Sequence, residues 1–341
     1  MSPDVVLAEG YGSDADRMNL AFAMMEAAGF DCSFALATSD AHGFRQKDSA
    51  RRAMPRPTSF TALLLRAEWR EGWVPFMRTV RTFWYGGENE YTPAAASFWH
   101  GDSFYDPQRD EFGRVDCGAD WVPRAESVMK LDVRPNGAVD FTVKNRTWGA
   151  AVGRRRKDFA EILPEARERF YQQLLGGIAQ NATATSPLET DVKGYPFEMS
   201  FSAYAEGYAV SKGDALTLEL PAFQSSVFGV GSAAQRRSPI YLSGTDSDVD
   251  DFEIVFPEGY TVVESIPSSF VIWNPKSAEK WLEHKVTHEV KDGRLHVHVV
   301  RTERRASAAQ LGADFFPYLK GWNTRAASRE ARTITVRKIG R

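Results

Sequence analysis

The sequence predicts an α+β fold: a small core of helix and strands, followed by a mostly antiparallel β-sandwich with a helical insertion. The first observation is a capped helix that leads directly into a strand within residues 13–38. The second is a long series of short β-rich segments, separated by turn residues, that begins near residue 123. A chain of 341 residues exceeds one typical core. We therefore expect two domains, residues 1–122 and residues 123–341.

The first helix has a strong start signal in Ser13 and Asp16. The two stand three residues apart, the spacing of a capping box in which each side chain satisfies a backbone N–H of the other residue. Apolar residues then recur at helical spacing as far as Ala28, and Gly29 supplies the stop. Residues 31–38 alternate with period two and predict a strand. The N-terminus of such a helix is a place where a reactive anion is stabilised.

The rest of the first domain is predicted to contain two strands, residues 60–67 and 76–85, and then an irregular connection over residues 92–122. Four acidic residues cluster in that connection: Asp102, Asp106, Asp110 and Glu111. Calcium binds such oxygens, but the spacing matches no calcium-binding loop that we can justify. We therefore expect a solvated acidic loop.

The second domain opens near Asn136-Gly137, the strongest short signal for a β-hairpin, between strand-like residues 127–134 and 138–144. A helical insertion follows over about residues 155–179, in which Pro164 either kinks the helix or restarts it. Further strands are predicted at residues 197–204, 215–220, 239–242, 252–256, 261–266, 270–273, 285–290, 295–302 and 332–338. Strands at this density, joined mainly by turns, indicate the antiparallel sandwich.

Composition argues against several classes of protein. Hydrophobic content of 43% and charged content of 26% are ordinary for a soluble globular protein. A net charge of -3 argues against a general nucleic-acid surface, which needs a basic excess. No apolar run approaches the roughly 18 residues that cross a bilayer, and no basic-then-apolar leader follows Met1. Because the chain enters its first helix almost at once, we expect it to be a piece of a longer protein.

Two cysteines, Cys32 and Cys117, cannot form a disulfide framework. A single bridge between them and two separate thiols both stay open, and separate thiols are favoured. Cys32 shares the predicted strand face of Phe34 and Leu36, so we expect a buried structural thiol. Cys117 lies in a loop rich in Gly and Asp, and its role is left open.

Two further patterns resemble ligand sites, one for a dinucleotide and one for zinc, but the expected geometry argues against both. The Gly-rich stretch 228–232 leaves little room for the helix that must follow a dinucleotide loop, so it predicts a turn. Four histidines flank the turn Asp292-Gly293: His284, His288, His296 and His298. In a two-residue hairpin the first two lie on one face of the sheet and the last two on the other, which argues against a zinc site. We expect no metal and no cofactor.

The segments Gly12-Ser13-Asp14-Ala15-Asp16 and Ala27-Ala28-Gly29-Phe30, with the strand after them, resemble the transglutaminase-like (papain-like) core. The resemblance implies a Cys–His–Asp triad, with the thiolate at the helix N-terminus and an imidazole oriented by a carboxylate. The matching positions here hold Asp14, Ala62 and Gly86. The resemblance therefore implies a core whose catalytic triad is lost, with Asp16 kept as the cap.

The same resemblance implies a remnant of the substrate cleft. Its candidate binding residues are Asp14, Asp16, Trp84, Tyr85 and Trp99, of which the three aromatic residues would form the walls. Such a cleft suits an extended peptide or a glycan. Ordinary core packing is the alternative for the three aromatic side chains.

The remaining chain resembles the β-sandwich that follows this core in bacterial, mostly extracytoplasmic proteins of unknown function. The residues that carry this resemblance are Arg237-Ser238-Pro239-Ile240, Phe256-Pro257-Glu258-Gly259-Tyr260 and Phe316-Pro317-Tyr318-Leu319-Lys320. The resemblance implies an extracytoplasmic location, periplasmic or at the cell surface. It also implies a further β-domain ahead of the core in the parent protein.

Together these features predict a non-catalytic transglutaminase-like protein that acts as a binding or structural module in the bacterial envelope. Its partner would be a peptide, a protein or a glycan, with no nucleic acid and no membrane span. One alternative is an enzyme of altered chemistry that uses Asp14 or Cys117 with His42 or His100. Another is a cell-surface adhesion component in which the sandwich makes the contact.

Overall fold

The computed structural model of the chain describes residues 1–38, 60–71, 79–87, 101–221, 235–242, 246–274, 277–305 and 309–339. Trp99, His42, His100 and the Gly-rich stretch 228–232 lie outside these residues. Within them the fold is α+β with mostly antiparallel sheets, as the sequence predicts. No helix in these ranges is both long and apolar enough to cross a membrane.

The chain begins with two helices, α1 (Pro3–Glu9) and α2 (Asp14–Ala27). The predicted capping box at the start of α2 is confirmed. The Ser13 hydroxyl accepts a hydrogen bond from the Asp16 N–H at 3.2 Å, and the Asp16 carboxylate accepts one from the Ser13 N–H at 3.0 Å. Gly29 then takes a left-handed conformation, with φ of 87°, and turns the chain into the first strand.

A five-stranded sheet follows, made of β1 (Asp31–Thr38), β2 (Ala62–Glu71), β3 (Thr79–Tyr85), β4 (Ser103–Asp106) and β5 (Glu111–Arg114). Its spatial order is β3-β2-β1-β4-β5, with antiparallel neighbours throughout. Helix α2 covers one face, where the rings of Phe22 and Phe34 stack with centroids 5.0 Å apart. The irregular connection predicted over residues 92–122 is wrong for β4 and β5. These strands have four residues each, too few for the alternation to be recognised.

The remaining strands are β6 (Arg124–Val133), β7 (Val139–Trp148), β8 (Thr183–Ala184), β9 (Glu189–Asp191), β10 (Phe197–Ala205), β11 (Val210–Lys212), β12 (Ala215–Glu219), β13 (Ile240–Leu242), β14 (Asp246–Val255), β15 (Val262–Ser265), β16 (Phe270–Trp273), β17 (Lys280–Lys291), β18 (Arg294–Arg305), β19 (Ala309–Leu311) and β20 (Thr333–Arg337). Nine of them form one sheet, called the large sheet below, in the order β16-β17-β18-β14-β6-β7-β10-β8, with β9 also paired to β10. A second sheet has the order β11-β12-β20-β15, and β13 pairs with β19.

The large sheet and the second sheet pack around one core, which is the sandwich that the sequence predicts. Phe141 and Val297 of the large sheet and Leu218 and Ile334 of the second sheet are at most 1% exposed within this core. We call the face of the large sheet that meets the core its inner face, and the opposite one its outer face. In the large sheet β6 and β14 pair in parallel, and the other described neighbours are antiparallel.

The predicted helical insertion consists of two helices, α3 (Ala151–Glu161) and α4 (Pro164–Ile178). Pro164 is the first residue of α4, so it restarts the helix and does not kink it. Phe159 of α3 stacks on Phe197 with ring centroids 5.5 Å apart. Tyr171 of α4 meets the Phe201 ring edge-on at 5.4 Å. The helix pair thus covers the inner face of the large sheet over β10.

A further helix, α5 (Phe316–Ala327), is absent from the sequence-based prediction. It buries Phe316 and Leu319 in a smaller cluster that also contains Trp281 of β17. Of its residues, Phe316, Leu319 and Ala326 are buried. So short an apolar stripe gives little helical periodicity, which explains why the sequence does not reveal this helix.

The hairpin between β6 and β7 offers a test of the fold. Gly137 has φ of 84°, and a Cβ there would lie 2.1 Å from the carbonyl oxygen of Ala209. Gly213 also has a positive φ, 63°, but a Cβ there meets nothing within 4 Å. We expect Gly137→Ala to lower the unfolding free energy by about 3 kcal/mol or more, and Gly213→Ala by about 1 kcal/mol, because only the first adds a clash to the backbone strain. Urea denaturation measures both losses, and equal losses would contradict the close approach of residues 137 and 209.

Candidate functional site

The three positions that the sequence resemblance matches to a catalytic triad do not form a reactive group. Asp14 has a side chain that is 88% exposed and forms an ion pair with Arg17, one turn along α2. Ala62 opens β2 opposite Ala37 and packs against the apolar cluster of the first sheet. Gly86 directly follows β3. These positions therefore hold one solvated carboxylate and two residues without a functional side chain.

Asp16 acts as the helix cap. A hydrogen bond from the α-amino group of Met1, together with bonds from the Ser13 hydroxyl at 2.7 Å and the Ser13 N–H at 3.0 Å, lowers the pKa of Asp16 to about 2. A carboxylate held so firmly in its ionised form is a weak base. The geometry of Asp16 therefore matches the structural role expected from the sequence.

The aromatic residues predicted as cleft walls do not share one surface. Trp84 and Tyr85 are consecutive in β3, so their side chains leave opposite faces of the sheet. The Trp84 ring meets Phe104 with centroids 4.9 Å apart. Tyr85 pairs with Leu65, on the face that α2 covers. Trp84 and Tyr85 therefore cannot line one cleft together, and the prediction for Trp99 lies outside the described residues.

The expectation of a solvated acidic loop over residues 102–111 is wrong for Asp106, which is completely buried, whereas Asp110 and Glu111 are exposed. The Ser33 hydroxyl donates a hydrogen bond to Asp106 at 2.5 Å, and the Arg109 guanidinium lies 3.3 Å from the same carboxylate. Arg66 forms ion pairs with Glu111 and Glu68, both at 2.6 Å. Buried charges require partners of this kind. We call these residues the charge network, and the pairing of each buried charge with an opposite charge indicates a structural role.

Cys32 and Cys117 are separate thiols and not a disulfide. Burial raises the pKa of Cys32, and the carboxylates of Glu26 and Asp31 raise it further. A thiol with a raised pKa stays protonated and unreactive at neutral pH. Cys117 packs against the apolar cluster around Phe104.

The register of β17 and β18 places the four histidines as the sequence predicts. Val290 pairs with Leu295 and His288 pairs with Val297, which puts His296 and His298 on the face opposite to His284 and His288. In the described part of the chain, no group of three or more His, Cys, Asp or Glu side chains has the geometry to hold a metal ion.

A cavity of about 380 Å³ lies over His296 and His298 on the outer face. Two of its polar lining residues, His298 and Glu253, have charged partners. His298 Nε2 lies 2.7 Å from the Asp251 carboxylate, and the Lys130 ammonium lies 2.8 Å from Glu253. These contacts belong to a layer of exposed ion pairs that covers the outer face, and such pairs contribute little individually.

Five strands of the large sheet extend past their predicted ends, all at the same end of the sheet. Strands β6, β14 and β17 begin at residues 124, 246 and 280, earlier than the predicted 127, 252 and 285. Strands β7 and β18 end at residues 148 and 305, later than the predicted 144 and 302. Because β6 and β14 run parallel and the neighbouring pairs antiparallel, all five extensions lie side by side.

The register of these strands places five polar residues in one row across the inner face, here called the polar row: His284, Arg301, Asp250, Ser127 and Asn145. Neighbours across strands on one face have Cβ atoms about 5 Å apart. The adjacent row of the inner face is apolar and consists of Val286, Val299, Phe252, Met129 and Val143. The polar row therefore marks the edge of the sandwich core.

One half of the polar row is closed to solvent. His284 and Arg301 are each 3% exposed. Arg301 donates a hydrogen bond to the carbonyl of Pro221 at 2.8 Å, and burial lowers its pKa to about 10. Burial, together with the charge of Arg301, lowers the pKa of His284 to about 4. The imidazole is therefore neutral at pH 7.

The other half of the row opens into a cavity of about 370 Å³, here called the row cleft. Its floor holds Ser127, Asn145 and Asp250, and its walls include Phe170 and Leu174 of α4. Two further apolar side chains, those of Phe197 and Met199, come from β10, and Arg155 of α3 lies exposed at the rim. This volume is at the lower end of the range typical of small-ligand sites.

The three floor residues have unused hydrogen-bonding capacity. Ser127, Asn145 and Asp250 are half-buried and form no side-chain hydrogen bond with other residues in the described ranges. Burial raises the pKa of Asp250, with the charge of Arg301 acting against this effect. Apolar walls, a few converging polar groups and a carboxyl with a perturbed pKa are the common features of a binding or catalytic cleft. The row cleft is therefore the candidate functional site.

Sequence reasoning missed all three floor residues, although a signal for them exists. Asp248 and Asp250 precede Phe252 at the same period-two spacing that continues to Ile254. Ser127 precedes Met129 in the same way. Ser127 already lies in the predicted strand 127–134, and extending the predicted strand 252–256 back through Asp250 would have placed that residue on the inner face as well.

No family model and no curated protein matches the chain. Among solved structures, a putative protease from Parabacteroides distasonis is similar to it at 11% identity, with a TM-score of 0.45, over 98% of this chain and 46% of that chain. The chain therefore spans about half the length of that structure. A likeness at this level carries no argument about activity. The transglutaminase-like core and its lost triad stay predictions.

Burial of His284 predicts a pH dependence of stability. Its pKa falls from 6.5 to about 4 on folding. Between these two pH values, His284 is therefore protonated in the unfolded chain and neutral in the folded chain. The stability contributed by the neutral ring is complete above pH 6.5 and is lost as the pH falls towards 4. Urea unfolding at pH 7.5 and 4.5 measures this loss of unfolding free energy. We expect the loss to be about 2 to 3 kcal/mol smaller in His284→Gln than in the unaltered protein. The control His288→Gln changes an exposed histidine of the same strand and face, and an equal effect there would contradict the burial of His284.

Burial of Asp250 predicts that its carboxylate costs stability at neutral pH. Its folded pKa lies above 3.8, so ionisation weakens the fold as the pH rises from 3.8 through the folded value. We expect Asp250→Asn to raise the unfolding free energy at pH 7, with the gain fading towards pH 3. Asp251→Asn, on the outer face, removes a contact with His298 and should bring no gain. Urea denaturation of both variants at the two pH values makes the comparison, and a less stable Asp250→Asn at pH 7 would refute the expected cost.

Proposed function

We propose that the chain is a non-catalytic binding module whose ligand site is the row cleft. One observation carries the proposal: three neighbouring polar side chains with unused hydrogen-bonding capacity face apolar walls in a single cavity. A ligand with both a polar head and an apolar body would recover both kinds of contact. A volume of about 370 Å³ suits one side chain or one sugar ring of a larger partner. The partner in this proposal is a peptide, a protein or a glycan.

The arrangement of the cleft supports binding over catalysis. A serine becomes a nucleophile when a base lies within hydrogen-bond reach. Ser127 has Asp250 and Asn145 as its neighbours in the polar row, while the imidazole of His284 lies beyond Arg301 and is buried. The row therefore offers Ser127 no imidazole partner.

A place in the bacterial envelope and a degenerate transglutaminase-like origin belong to the same proposal. Their support is the sequence resemblance of residues 12–30 and of the sandwich segments, including residues 237–240 and 316–320. Under this proposal the ligand site lies in the sandwich and not at the N-terminus of α2. The adhesion hypothesis differs only in making the partner a surface component of another cell.

The test is a binding screen with chemically defined probes. A panel of acetylated tetrapeptides that covers each side-chain class, and a panel of oligosaccharides, would be examined by ligand-observed saturation-transfer NMR with the full chain. We expect one class to bind and to lose binding in Leu174→Arg, which fills the cleft from α4. Gln173→Arg is the matched control, because this neighbouring residue is exposed and does not line the cleft.

Each outcome bears on the proposal. Binding that survives Leu174→Arg would show that the binding site lies outside the row cleft. Absence of binding by every probe would refute the proposal that the protein is a binding module. Mass spectrometry of the probes after incubation should recover them unchanged. Conversion of a bound probe would replace the binding module with an enzyme.

A further inference from the structure

We infer that the row cleft receives the ammonium group of a lysine side chain from a peptide partner. This inference rests on the proposed function, since it requires the row cleft to be the binding site. It follows from three properties of the cleft: the charge of its lining, the three hydrogen-bond acceptors on adjacent strands of its floor, and the apolar side chains of its wall.

The charge of the lining favours a cation. Asp248 and Asp250 both line the cleft, and a carboxylate ligand would meet repulsion from them.

Among the described lining residues the cations are Arg146 and Arg155. Arg146 is held by Glu126 at 3.2 Å and by Glu198 at 3.0 Å, and Arg155 is exposed at the rim. Arg301 lies in the closed half of the row, with one nitrogen bonded to Pro221. Its charge reaches Asp250 from the paired position on β18, so Asp248 and Asp250 together make this side of the cleft negative.

The acceptors of the floor match the donors of an ammonium group. An ammonium has three N–H donors and no acceptor. The Asp250 carboxylate, the Ser127 hydroxyl oxygen and the Asn145 amide oxygen stand on three adjacent strands in register. A hydroxyl ligand supplies one donor, and a planar guanidinium is best matched by a single bidentate carboxylate. A compact ammonium fits three separate acceptors better than either of these groups.

The wall of the cleft matches the stem of a lysine. The side chains of Phe170, Leu174 and Met199 line the cavity beside the three acceptors. Lysine buries its methylene stem along apolar surface while its charged head seeks polar partners. With the head on the floor, the peptide backbone would stay at the mouth, where the Arg155 guanidinium donates hydrogen bonds to a carbonyl or carboxylate.

The experiment compares Nα-acetyl-lysine N-methylamide with its norleucine equivalent, which keeps the apolar stem and lacks the ammonium. Dissociation constants would be measured by NMR titration of the full chain at pH 7. We expect the lysine probe to bind about tenfold tighter or more. The preference should fall to about one in Asp250→Asn. It should persist in Asp251→Asn, which changes the adjacent carboxylate on the outer face.

The outcomes separate this inference from the proposed function. Equal affinity for the two probes overturns the lysine assignment and leaves the cleft as a binding site. A preference for lysine that survives Asp250→Asn also overturns it. If neither probe binds but another panel member binds and is lost in Leu174→Arg, the binding module stands and the lysine inference falls. If no probe of any kind binds, both fall.

A second variant guards against a folding defect. Ser127→Ala removes one of the three acceptors without touching a charge, and circular dichroism checks that both variants are folded. We expect Ser127→Ala to weaken the lysine probe several-fold and to leave the norleucine probe unchanged. An equal loss for both probes would indicate a general change in the cleft and would count against the inference.

Discussion

The alternation of side chains along each strand is the constraint on which the large sheet depends. A shift of one residue in the pairing of β14 would turn Phe252 and Ile254 from the core to the outer face. The apolar rows therefore fix the register, and the register in turn fixes Asp250 beside Arg301 and Ser127. Hydrophobic burial in the neighbouring rows thus positions a set of polar side chains that would not assemble from their own attractions.

The protein contains two buried polar assemblies of different character. In the charge network, Asp106 is bonded to Ser33 and lies beside Arg109, so its burial is compensated. In the polar row, His284 is kept neutral and Asp250 resists ionisation, which are signs of incomplete compensation. Groups that weaken a fold in this way are typical of sites where function and stability compete. The difference between the two assemblies is the physical reason for assigning function to the second.

The sequence predicts those parts of the fold in which local signals and apolar pattern agree. The Ser13–Asp16 box marks α2, and the Asp292-Gly293 turn places His288 opposite Val297. Prediction fails where polar residues occupy inner-face positions. The first half of β14 is not predicted as strand, because Asp248 and Asp250 interrupt the apolar alternation there. The candidate site includes Asp250, which lies in this half of β14. Its assembly from residues 127, 145 and 250 depends on long-range pairing, which no local pattern encodes.

The parallel pairing of β6 with β14 has a consequence for the order in which the protein forms. Residues 134–245 separate the two strands along the chain, and this interval contains α3, α4 and the whole of β10. Closing so long a loop costs chain entropy before any contact offsets it, so pairing of this kind belongs to the slow, late steps of folding. Ser127 lies on β6, before this loop in the chain, and Asp250 lies on β14, after it. A nascent or partly folded chain therefore has no row cleft, and the capacity to bind a ligand there marks the completed fold.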